Sequence, residues 1–135
     1  MRRPLFLLIT AAGEGATGLA LLLWPALPLM LLLGVRDAGV DVLLIARVAG
    51  TALLAIGVMC GLAAKDAGSP ALRAILLGVL LYDLAVALVL GYAGIGLHLA
   101  GVLLWPAVLA HLALAIWCGL CLRDTAAATR SGPVR

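Results

Sequence analysis

Four apolar stretches, each near the length a helix needs to cross a bilayer, divide this chain of 135 residues. At ~1.5 Å rise per residue, roughly 20 residues traverse a hydrocarbon core. The stretches fall at about 5–24, 42–64, 71–92 and 102–122. Hydrophobic residues make up 66% of the chain and charged residues 11%, and the mean hydropathy is +1.27. That balance excludes a soluble globular domain and predicts an all-α fold, an integral membrane four-helix bundle.

Pro25 and Pro28 interrupt the pattern after the first stretch, and Leu29–Leu33 continue as an apolar run ending at Gly34. Such a run is too short to cross, so a short interfacial helix is expected between spans one and two. Residues 65–70 (Lys-Asp-Ala-Gly-Ser-Pro) read as a tight turn that makes spans two and three antiparallel neighbours. Residues 1–122 then form one transmembrane domain. The small, polar, basic tail 123–135 is expected to trail as a disordered cytoplasmic segment along the membrane surface.

Arg2, Arg3, Lys65, Arg73, Arg123, Arg130 and Arg135 fall on one side of a four-span topology, and Arg36 on the other. The positive-inside rule therefore puts both termini in the cytoplasm, for a multi-pass protein of the cell inner membrane. The net charge of +3 follows from that bias. No basic stripe with interleaved aromatics suggests nucleic acid. Arg2-Arg3 before Leu5–Ala12 has the look of a signal peptide, but the apolar run continues to Trp24, which favours a retained anchor.

Each span carries an ionisable residue well inside it: Glu14, Arg47, Asp83 and His111. Such groups are costly in hydrocarbon and mark functional positions. Counted at ~1.5 Å per residue from the outer ends, Glu14, Asp83 and His111 share a layer roughly 14–15 Å deep, with Arg47 nearer the surface. Thr10, Thr17 and Gly18 flank Glu14. Gly50, Gly57 and Gly61 form a stripe beside Arg47, with Thr51 on its other flank.

Asp83 has two candidate directions, because Leu76, Val79, Leu80, Val86 and Leu90 surround it while Ala74, Gly78 and Ala85 lie opposite. Inward, it joins the cluster and leaves the small stripe for a second protomer; outward, it lines an oligomer interface. Tyr82 offers a hydroxyl to either arrangement. With Arg47 positive, two carboxylates and a neutral His111, the cluster carries net negative charge, which favours a held proton or cation and coupled titrations. The structural alternative is that Arg47 pairs with Glu14, and Asp83 with Tyr82 or His111, merely to fix helix register.

Leu22-Leu23-Trp24-Pro25-Ala26 recurs as Leu103-Leu104-Trp105-Pro106-Ala107. Interface chemistry explains the echo, since Trp is favoured at membrane boundaries and proline at helix ends; Trp105 supports the cluster from above. Cys118-Gly119-Leu120-Cys121 has dithiol spacing, without a second pair or a following His. His98 reads as a solvated loop residue too far from His111 to share a haem. No cofactor and no metal centre is expected.

Three families share features with the chain. Small multidrug resistance exporters are four-span proteins with a first-span glutamate that serves as proton and cation site, and Glu14 resembles it. This chain lacks their aromatic lining and adds Arg47 and His111. Membrane thiol oxidoreductases of the vitamin K epoxide reductase type are also small bundles with C-x-x-C, but this chain has no outer-side cysteine pair. The pattern Glu14…Thr17-Gly18, Leu31-Leu32-Leu33-Gly34, Ala46-Arg47-Val48-Ala49-Gly50, Leu81-Tyr82-Asp83 and Leu104-Trp105-Pro106-Ala107…His111 resembles uncharacterised bacterial four-span proteins, loosely DoxX-like. That resemblance implies the fold and the importance of the cluster, and no activity.

The functional expectation is a non-enzymatic membrane protein whose cluster binds a small polar or amphipathic ligand, or docks a membrane-protein partner as an accessory subunit. Its ligand- or proton-binding residues are Glu14, Arg47, Tyr82, Asp83 and His111, supported by Thr10, Thr17, Thr51 and Trp105. Alternatives are a proton-coupled exporter, a purely structural cluster and a thiol redox protein. A homo-oligomer fits the small stripe of span three.

Overall fold

The computed structural model describes residues 2–130, which form helices α1 (Arg2–Leu23), α2 (Ala26–Leu33), α3 (Val40–Ala63), α4 (Pro70–Ile95) and α5 (Leu104–Arg130). Among the described residues there is no strand. Four of the helices are long and apolar enough to cross a membrane. Leu8, Ile45, Leu62, Leu81, Leu88 and Ile116 face outward while Glu14 and Asp83 are buried. An apolar exterior around buried carboxylates accords with helices long and apolar enough to cross a membrane.

The breaks between helices have local causes. Pro25 immediately precedes α2, which ends where Gly34 takes a left-handed conformation (φ 74°) and donates its N–H to the Met30 carbonyl at 3.0 Å. Before α4, Asp66 accepts the Ser69 hydroxyl at 2.6 Å and the Gly68 and Ser69 amides at 2.8 Å each. Ser69 in turn caps the helix by accepting the Leu72 N–H, and Pro70 occupies the first turn.

The long helices pack as two antiparallel pairs, α1 with α3 and α4 with α5. Glycine sets the first pair: a Cβ on Gly18 would lie 2.7 Å from the Gly50 carbonyl oxygen, and one on Gly50 would lie 2.7 Å from that of Gly18. Only backbones without Cβ atoms approach this closely. In the second pair the Cys118 thiol donates to the Leu76 carbonyl at 3.1 Å.

Near the start of α1 the pairs meet in an apolar core of Phe6, Leu7, Cys60, Leu72, Leu76 and Cys118. At the opposite end α2 is tied to the segment before α5, where Gly101 and Leu103 donate N–H groups to the Leu32 and Leu31 carbonyls at 3.1 and 2.8 Å. A Cβ on Gly101 would stand 2.1 Å from the Leu31 oxygen, so glycine is required there. The expected irregular tail differs. Helix α5 runs on through 123–130, where alanine favours helix and the first glycine or proline is Gly132. Residues 131–135 lie outside the described residues.

Candidate functional site

Helical spacing carries each functional group inward. The buried residues of α1 are Phe6, Leu7, Thr10, Glu14, Gly18 and Leu21, an i, i+3/i+4 series in which Glu14 follows the apolar start by two turns. On α4 the series Leu72, Leu76, Val79, Asp83, Ala87 does the same. The direction of Asp83 is thus settled: it faces the bundle with 0% exposure, while Ala74, Gly78 and Ala85 remain exposed. Asp83 shares the register of leucines that pack the core, and that packing fixes its direction.

At mid-bundle the groups pair off. The Tyr82 hydroxyl donates to Glu14 Oε2 at 2.8 Å, and His111 Nδ1 lies 2.9 Å from Asp83 Oδ1. The Tyr82 and His111 rings meet edge-on with centroids 5.7 Å apart. One ligand atom each from Glu14, Asp83 and His111 falls within 4.8 Å of the others. Two buried oxygens, Asp83 Oδ2 and Thr10 Oγ1, have no hydrogen-bond partner. When Asp83 is ionised, Nδ1–H of a neutral His111 donates to it and leaves Nε2 as an acceptor.

Arg47 does not join this group. It is exposed, one residue and about 100° around α3 from buried Ala46, because the glycine stripe turns a different face of α3 towards α1. Glu14 takes Tyr82 as its partner instead, and Asp83 takes His111. Thr51 is likewise exposed and donates to the Val48 carbonyl of its own helix at 2.7 Å. Trp105 is half-exposed against Gly94, away from the cluster. Thr10 is buried one turn from Glu14.

Sequence patterns gave little sign of a cavity of about 610 Å³ beyond the cluster, lined by Thr17, Leu31, Tyr82, Ala107 and His111 among others. Its signal in the sequence is a set of small residues, Ala16 and Ala20 on α1 and Ala107 and Ala110 on α5, at positions that leave the gap open. Thus the bundle is stratified. An apolar core fills the end near the chain start, the polar layer follows, and the cavity lies between that layer and α2.

Cys60, Cys118 and Cys121 are buried in the apolar core, and no disulfide joins them. His98 is an exposed loop residue with φ 55°. No family model matches the chain, and no curated protein or solved structure matches it either.

Proposed function

We propose that this is a multi-pass membrane protein that binds one small amphipathic molecule in the cavity above its polar layer. The carrying observation is the cavity itself: about 610 Å³, walled by Leu27, Leu31, Val86 and Leu103, and ended by Tyr82 and His111. Apolar walls with a few convergent polar groups are what small-molecule sites present, and this volume suits a drug-sized ligand. The apolar body of the ligand lies along the leucines, and its polar head meets the Tyr82 ring edge and the imidazole.

Each polar residue has a distinct part in this reading. Glu14 positions Tyr82 by accepting its hydroxyl, and Asp83 fixes the tautomer and plane of His111. Imidazole Nε2 then accepts from, or when protonated donates to, the ligand head. The distribution of arginine and lysine supports cytoplasmic termini, which puts the cavity in the outer half of the membrane with α2 lying at the outer interface. Arg47, on the lipid-facing side of α3, extends its stem to the same surface.

The native protein is expected to co-purify with that molecule, and a test replaces Glu14 by Gln and compares the binding of the molecule by the two proteins. Weakening of about 10-fold or more, with the helical circular dichroism retained, is expected; unchanged affinity contradicts the assigned role of Glu14. The pairing of Tyr82 with Glu14 and His111 with Asp83 also favours a second reading, a polar pin that fixes helix register. That reading predicts that Glu14 and Tyr82, replaced together by Leu and Phe, leave binding intact.

A further inference from the structure

The polar layer holds more coordinating capacity than the hydrogen bonds within it use. Glu14, Asp83 and His111 come from three different helices, and one ligand atom from each lies within 4.8 Å of the other two. Bonds of ~2.0–2.2 Å from oxygen and nitrogen to a first-row ion put neighbouring donor atoms roughly 3–4 Å apart, so a contraction of roughly 1–2 Å at the widest pair closes the set. Asp83 is wholly buried, and its Oδ2 has no donor to satisfy it. An unpaired carboxylate oxygen at full burial costs free energy, and a cation removes that cost directly.

We propose that Glu14, Asp83 and His111 form a binding site for one first-row divalent transition-metal ion. Charge is matched in the bound state, because a divalent ion balances two deprotonated carboxyl ligands beside a neutral imidazole inside a low-dielectric layer. Arg47 does not supply that balance, being exposed on another face of the bundle. Ligand type narrows the class: an imidazole nitrogen with carboxylate oxygens suits zinc, manganese, iron or cobalt, whereas magnesium and calcium prefer oxygen alone. The Tyr82 hydroxyl on Glu14 Oε2 is the outer hydrogen bond that such a carboxylate ligand uses to hold its orientation.

The ion and the ligand head both call on His111, so the two are measured apart, the ion by titration of stripped protein and the amphiphile without added metal. Full-length protein in detergent is stripped with a chelator and titrated with Co²⁺, following visible d–d absorption and the thermal midpoint. One Co²⁺ per chain, with a raised midpoint, is expected. Asp83→Asn and His111→Ala should abolish the absorption, and Tyr82→Phe, which leaves the ligands in place, should weaken binding by about 10–100-fold.

Three results overturn the proposal: no saturable uptake by the wild-type chain, uptake that Asp83→Asn or Tyr82→Phe leaves unchanged, or an intense near-ultraviolet thiolate-to-cobalt band, which assigns the ion to Cys60, Cys118 and Cys121. Should Asp83→Asn fail to fold, the wild-type stoichiometry and Tyr82→Phe decide. Failure of cobalt binding leaves the co-purifying amphiphile, measured without added metal, as it was.

Discussion

Tyr82 donates its hydroxyl to Glu14 across the gap between the two helix pairs, at 2.8 Å, joining α4 to α1 where their backbones do not pack closely. Elsewhere the pairs are held together by apolar contact at one end and by α2 at the other. This bond is therefore a polar side-chain link between two halves that are each well packed internally.

Removing the link should be measurable without unfolding the protein. Tyr82→Phe is expected to cost about 0.5–1.5 kcal/mol in denaturant unfolding, the usual range for one side-chain hydrogen bond and for its counterparts in membranes. A double-mutant cycle with Glu14→Gln should return most of that as coupling. The cycle between Glu14→Gln and Arg47→Met should return none, because Arg47 stands on another face of the bundle.

The glycine contact between α1 and α3 predicts a sharp contrast among small-to-larger substitutions. Gly50→Ala drives a methyl to within 2.7 Å of the Gly18 oxygen and should destabilise by about 1–3 kcal/mol, as overpacking does. Gly78→Ala meets nothing within 4 Å and should be neutral or stabilising by about 0.5–1 kcal/mol through helix propensity. Thermal midpoints of both variants in one detergent check the pair.

Asp66 should give a pH signature in the turn before α4. Its carboxyl is held below the usual carboxylate range, first by the Ser69 hydroxyl and then by the Ser69 and Gly68 amides. The folded value lies below the unfolded one, so its stabilising contribution is fully present above the ordinary carboxylate range. That contribution is lost as pH falls through the lowered value. Asp66→Asn should thus lower stability at neutral pH, and the difference from wild type should shrink in acid. A difference that grows in acid contradicts the assignment.

Much of this arrangement is legible in the sequence, and the part that is not has a definite cause. Glu14, Asp83 and His111 can be placed at one depth by counting residues, since helix rise is fixed. Direction is harder. Leucines surround Asp83 on α4, and in a membrane they suit lipid and core equally, so only packing resolves which side they take. Arg47 looks central because it flanks the glycine stripe, yet close approach of Gly18 and Gly50 rotates it outward. A cavity made by alanines leaves almost no trace in hydropathy.

Filling that cavity should separate ligand binding from fold. Ala107 lines the cavity and is half-buried, so Ala107→Phe places a ring in the open space while leaving the Tyr82–Glu14 bond intact. Binding of the co-purifying molecule should fall by about 10-fold or more, and the cobalt midpoint shift should survive.

Native mass spectrometry of the wild-type protein, released from detergent or nanodiscs beside Ala107→Phe, tests the central claim most directly. The wild-type chain should carry one small amphipathic molecule that persists at collision energies stripping loose lipid, and the variant should lack it. A wild-type spectrum without any retained molecule, or the same adduct on both proteins, contradicts the assignment of this cavity as the binding site.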